Sequence, residues 1–130
     1  MCDYEFELPW PPTSNHFHQP VVMRKGKKVY ARNVTSKDVE AYQKEVKRIM
    51  DELGLSGEMI AQPVSISLMM HPKTNHKFDR SNFLKAYEDA LVKCGFMEDD
   101  HWIDYGYIRK GEKVKGGKLV VKVRLNEKRR

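Results

Sequence analysis

A chain of 130 residues has room for one hydrophobic core and not two, and 40% hydrophobic with 32% charged residues describes a soluble globular domain with a heavily charged surface. No apolar run approaches the ~20 residues of a membrane-spanning helix, and the acidic start MCDYEFELPW rules out a secretory signal peptide, which points to a cytoplasmic protein. The net charge of +6 suits a polyanionic partner, because each lysine or arginine that meets a phosphate releases condensed counterions.

Tyr4, Phe6 and Leu8 alternate with Glu5 and Glu7, the period-two pattern of a half-buried strand, and PWPP stops it. Residues 13–35 show no sustained periodicity and read as a long basic loop, with a short hairpin about Gly26 as the structure it could hold. Thr35 or Ser36 can cap a helix whose Val39, Tyr42, Val46, Ile49, Met50 and Leu53 recur at helical spacing until Gly54. Val64, Ile66, Leu68 and Met70 mark a second strand, ended at His71-Pro72. In the helix expected over about 81–94, Phe83, Leu84, Tyr87, Ala90, Leu91 and Cys94 fall in one apolar sector, with Asn82, Lys85 and Asp89 on the other side. Gly95 ends it, FMEDDHW makes an acidic connection, and two strand-like runs follow, WIDYGYIRK and GKLVVKVRL, close enough to form a hairpin. The order β, loop, α, β, α, β, β predicts one α+β domain over residues 1–130. It has a four-stranded mixed or antiparallel sheet, two helices over one face and a flexible basic tail at about 126–130.

Cys2 and Cys94 are the only cysteines and read as reduced thiols. None of the five histidines has zinc-like spacing, and no phosphate-binding or dinucleotide-binding glycine pattern occurs. The densest chemistry lies in KFDRSNFLK, residues 77–85, and in Asp99-Asp100 beyond the helix. Two readings fit. Asp79 or Ser81 can cap the helix, with Lys85 solvated and Asp99-Asp100 a turn. Alternatively, Asp79, Asp99 and Asp100 offer oxygen ligands to a hard cation, and Lys85 stabilises charge developing on a phosphodiester. Against the second stands distance: Asp79 and Asp100 are 21 residues apart across a helix whose ends are separated by about 20 Å. They can share an ion only across a dimer, or if a flanking loop folds back along the helix.

LPWPPTSN, DRSNFLKAYEDAL, CGFMEDDHWIDY and KGGKLVVKV, in this order, resemble the RusA family of Holliday-junction resolvases, small bacterial and prophage endonucleases. The likeness runs from Leu8 to about Val123. It implies a homodimer that binds branched DNA and nicks two opposing strands of a four-way junction with Mg²⁺ or Mn²⁺, with no small-molecule cofactor and no membrane partner. The family motif D-x-D-N, its following lysine and a later D-D pair map Asp79 to the first acid, Asn82 to the asparagine, Lys85 to the essential lysine and Asp100 to the third acid. Asp99 stands beside Asp100 as a further ligand. Phosphate contacts are then expected from Arg24, Lys25, Lys27 and Lys28, from Lys73, Lys77, Arg80 and Asn82, and from Lys115 and Lys118. Ser81 departs from the motif: it replaces the second acid and removes one anionic ligand, so divalent-metal affinity should fall. Three readings stay open. The chain is a natural variant that still cuts, a junction-binding protein of phage recombination or replication that no longer does, or a protein with an engineered substitution.

Overall fold

The computed structural model describes residues 2–12, 19–25, 28–34, 37–75, 78 and 81–126, with the backbone alone at residues 19–25, 28–34, 81 and 82. Strand β1 is Tyr4–Pro9, β2 Gln19–Lys25, β3 Lys28–Val34, β4 Val64–His71, β5 Ile103–Lys110 and β6 Lys118–Leu125; helix α1 is Lys37–Glu52, α2 Ser81–Lys93, and a single 3-10 turn covers Asp100–Trp102. Four strands form one sheet in the order β1-β6-β4-β5, with β6 antiparallel to both β1 and β4, and β5 parallel to β4. The fold is therefore the expected α+β domain with a mixed sheet.

Period-two alternation decides which face of the sheet is covered. Phe6 and Leu8 of β1, Val64, Ile66, Leu68 and Met70 of β4, and Leu119, Val121 and Val123 of β6 are all buried. They meet Tyr42, Val46 and Met50 of α1 and Phe83, Tyr87 and Leu91 of α2 in one core. Ala86 and Val39, both buried, make a smaller contact set of their own. On β5 a register shift passes over Gly106: Tyr105 pairs with Ile66 and Tyr107 with Ser67. Tyr105 and Ile108 thereby both lie against the core.

Both helices end in the same way. In α1 the Leu55 amide donates to the Met50 carbonyl at 2.9 Å and Gly54 to Asp51 at 3.1 Å, with Gly54 at φ +74°. In α2 the Phe96 amide donates to Leu91 at 3.2 Å and Gly95 to Val92 at 3.1 Å, with Gly95 at φ +88°. These are Schellman caps, which need a residue at ease in the left-handed region. At Gly95 a side chain is also excluded sterically, since a Cβ would lie 2.7 Å from the Ser56 carbonyl oxygen.

Three expectations change. β5 and β6 do not form a hairpin: β4 lies between them, because the α2 crossover sets β5 parallel to β4. The connection wraps the end of β4 instead, with Gly111 donating to Met70 at 2.8 Å and Val114 to Pro72 at 2.9 Å. Within the stretch read as a long loop with a short hairpin about Gly26, the paired part is longer than expected: β2 and β3 run antiparallel from Gln19↔Val34 to Lys25↔Lys28, a separate two-stranded sheet. A two-stranded ribbon has no face that must be buried, so its sequence carries little alternation; residues 13–18, 26–27 and 35–36 lie outside the described residues. Asn126, placed in the flexible tail, is anchored through its amide to Pro63 at 2.9 Å, from Gln62 at 2.8 Å and to Ser65 at 2.8 Å; residues 127–130 lie outside the described residues.

Candidate active site on the polar face of α2

One side of α2 is committed to the core, so Lys85, Glu88 and Asp89 emerge on its other side. Lys85 and Asp89 are one turn apart, and their Nζ and Oδ1 atoms lie 3.2 Å apart. The same Nζ lies 3.9 Å from Oδ2 of Asp100, a residue beyond the far end of the helix. Asp100 arrives there because the Gly95 cap reverses the chain. The reversed segment is pinned by amide bonds from Met59 to Gly95 at 2.9 Å, Ile60 to Phe96 at 3.0 Å and Glu98 to Ile60 at 2.9 Å. The Asp99 carboxylate then accepts from the His101 amide at 3.5 Å and starts the 3-10 turn that carries Asp100. A segment that folds back along α2 thus brings Asp100 to Lys85 within one chain; Asp79, whose distance from Asp100 the sequence put in question, lies outside the described residues.

The electrostatics are those of an acid-rich site with one central cation. Lys85 is held above its usual range, first by its hydrogen bond with Asp89 and then, against some desolvation, by the charges of Asp89, Asp100 and Glu88. Asp100 is pushed up, chiefly by burial and then by its hydrogen bond with Asp99. Asp99 moves down, held first by Asp100 and then by His101, whose Nδ1 is 3.2 Å away. Glu88 is pushed up by burial, opposed by a hydrogen bond from Tyr105 and reinforced by Asp100. Tyr105 donates to Glu88 Oε2 at 2.8 Å, and its hydroxyl is 2.6 Å from that of the fully buried Tyr87.

Of the residues singled out from sequence, Lys85, Asp99 and Asp100 are brought together. Asp79, Lys77, Arg80 and Lys27 lie outside the described residues, as do the side chains of Ser81, Asn82, Arg24, Lys25 and Lys28. Lys73 is exposed just past Pro72, close to Trp10 across Gly117, and Lys115 is exposed in the turn before β6. Lys118 is paired with Glu7 at 2.8 Å, so a phosphate would have to compete with that carboxylate. Lys122 faces Glu5 at 3.8 Å, so a second lysine of β6 is partly neutralised by β1. Glu88 and Tyr105 were missed by sequence reasoning. Helical spacing from Lys85 could have signalled Glu88; nothing local signals that Tyr105 would meet it.

Among the described residues no three acidic, histidine or cysteine side chains converge to hold a metal ion. The donor chemistry is nonetheless that of a hard cation: Asp99 and Asp100 present carboxylate oxygens side by side, and Mg²⁺ keeps several waters and takes few protein ligands. No helix among the described residues is long and apolar enough to cross a membrane.

A small α+β domain that gathers aspartates about a lysine at one helix is compatible with phosphodiester chemistry. Residues 9–125 match the family model described as Endodeoxyribonuclease RusA, and the chain belongs to that family. It is 31% identical over 123 residues to the crossover junction endodeoxyribonuclease rusA of Enterobacteria phage HK97, covering 95% of each chain. It is 35% identical over 120 residues to the enzyme named RusA from Escherichia coli O139:H28, with 92% of each covered. It is also 35% identical over 124 residues to that of Enterobacteria phage 82, again with 92% of each covered.

Proposed function

We propose that this chain is a divalent-metal-dependent, structure-selective DNA endonuclease that resolves four-way junctions by paired nicking, working as a homodimer in the cytoplasm. The observation that carries the reading is the approach of Asp100 to within 3.9 Å of Lys85, the two residues that the motif resemblance matches to the family's third acid and essential lysine. Asp79, Asp99 and Asp100 would hold Mg²⁺ or Mn²⁺, which supplies Lewis-acid polarisation of the phosphodiester and a more acidic water for attack. Lys85, kept charged by Asp89 and Asp100, sits where negative charge on the transferring phosphorus or leaving oxygen can be stabilised. Ser81 leaves the ion one anionic ligand short, so a DNA phosphate oxygen would complete more of the coordination. Two equivalent sites related by a two-fold axis match symmetric nicking of a two-fold junction. Lys73, Lys115 and the cationic positions about 24–28 would grip phosphates, giving a steep salt dependence and recognition by branched shape.

The test is nicking of an end-labelled four-way junction with Mg²⁺, with Mn²⁺ and with a chelator, for the wild-type chain and Asp79→Asn. Paired, metal-dependent nicks that vanish in Asp79→Asn, while junction binding persists, support the reading. Ser81 specifically favours a second one, a junction binder that no longer cuts. It would be supported by tight, salt-sensitive binding without nicks in either metal, and cutting that appears in Ser81→Asp.

A further inference from the structure

Asp100 and Lys85 belong to different elements. Lys85 is fixed by α2, whereas Asp100 rides on a short 3-10 turn that leads directly into β5. Their relative position therefore depends on how the 100–105 segment is tied to α2. The Gly95 cap and the amide bonds to residues 59 and 60 bring the segment back, and its side-chain tie to α2 is the Tyr105 hydroxyl. It donates to Glu88 Oε2 at 2.8 Å, one helical turn beyond Lys85, and lies 2.6 Å from the hydroxyl of Tyr87 on the same helix. Tyr87 is wholly buried in the core, so the three groups form a hydrogen-bonded bracket between α2 and β5, near the Lys85–Asp100 pair.

We infer that Tyr105 and Glu88 are positioning residues: their hydrogen bond, backed by Tyr87, holds Asp100 opposite Lys85 in the productive geometry. The inference rests on the nuclease reading for its meaning but not for its geometry. Two features argue that the bracket is more than ordinary packing. Glu88 keeps a partly buried carboxyl with Asp100 and Asp89 nearby, an arrangement that burial and like charge both disfavour and that the hydrogen bond from Tyr105 offsets. In addition, the Lys85–Asp100 separation of 3.9 Å is a loose ion pair, with Asp89 nearer at 3.2 Å. Such a contact between half-exposed groups contributes little holding force of its own. A misplacement of about 1 Å in a catalytic group can cost on the order of a hundredfold in rate.

The experiment uses the full chain and three variants: Tyr105→Phe, which keeps the ring and removes its hydroxyl; Glu88→Leu, which removes the acceptor; and Glu88→Gln, which removes the charge and keeps an acceptor oxygen. Two quantities are read. One is kcat and KM for nicking a four-way junction. The other is the yield of zero-length carbodiimide crosslink between Lys85 and Asp100, relative to Lys85–Asp89 in the same sample. Tyr105→Phe and Glu88→Leu should lower kcat about tenfold with KM within twofold, and lower the crosslink ratio at least threefold. Glu88→Gln should stay near wild type in both. Wild-type behaviour of Tyr105→Phe and Glu88→Leu would overturn the inference. So would loss of kcat in Glu88→Gln equal to that in Glu88→Leu, since charge and not the bond would then matter. If the wild-type chain cuts no junction, the nuclease reading fails, while the crosslink ratio still decides whether the bracket holds Asp100.

Discussion

The outer face of α1 and the polar face of α2 are both rich in charge, and they are built in opposite ways. On α1 every acid of the last two turns has a cation: Arg48 bridges Glu45 and Glu52, at 2.8 Å to the latter, and Lys47 meets Asp51 at 2.9 Å. Glu45 is lowered by Arg48, and Asp51 by Ser56 and then Lys47, the response expected of satisfied, exposed carboxylates. Glu88 and Asp89 of α2 and Asp100 of the 3-10 turn gather about Lys85; all three are partly buried, and Glu88 and Asp100 are raised instead of lowered. Carboxyls moved off their ordinary range by burial and by one another are the kind of group that clusters at functional sites. Aspartate, glutamate and lysine thus make a solvated surface on one helix and a candidate site on the other, and composition alone does not distinguish them.

Five substitutions test that contrast. The largest effect belongs to Lys85→Ala. Junction nicking should fall by roughly a hundredfold or more with little change in junction affinity, read by single-turnover kinetics and by gel-shift titration. Lys47→Ala, on the α1 face, should leave both unchanged. Ser81→Asp comes next. Restoring the missing anionic ligand should lower the Mg²⁺ concentration for half-maximal nicking by roughly tenfold, with Mn²⁺ binding followed by electron paramagnetic resonance as an independent readout.

Smaller effects concern pH and stability. Because folding raises the carboxyl pKa of Glu88, the native state binds that proton more tightly than the unfolded chain does. Its contribution is therefore most favourable below the ordinary carboxylate range and is lost as pH rises through the folded value. Glu88→Gln should raise the thermal midpoint at pH 8 by roughly 2–4 °C and give no gain at pH 4. Glu45 is lowered, so its favourable contribution is present above the ordinary carboxylate range and is lost as pH falls through the folded value. Glu45→Gln should then shift the midpoint slightly downward at pH 8, the opposite sign, in the same calorimetric series. An upward shift in both variants would remove the distinction between the two faces.

Much of the frame was legible from residue pattern. Phe6 and Leu8, Val64 to Met70, and Leu119 to Val123 alternate because one face of the sheet is covered, and Tyr42, Val46 and Met50 recur at helical spacing for the same reason. Strand neighbours were less accessible. WIDYGYIRK and GKLVVKVRL are adjacent in sequence, but the α2 crossover sends β5 to the far side of β4, a non-local choice that spacing does not report. The site shows the same division. The chemical types of Lys85, Asp99 and Asp100 were readable, whereas their meeting depends on the Gly95 cap and on the amide bonds to residues 59 and 60, which only the folded chain brings together. Glu88 and Tyr105 went unread because their bond joins a helix to a strand whose position was itself misjudged.

The most direct test of the contrast is one nicking assay on a four-way junction with two chemically identical substitutions, Asp100→Asn beside Lys85 and Asp51→Asn beside Lys47. The account predicts that Asp100→Asn binds the junction and loses cutting by roughly a hundredfold or more, while Asp51→Asn cuts at the wild-type rate. Equal rates for the two variants would contradict it and return Asp100 to the status of a turn residue.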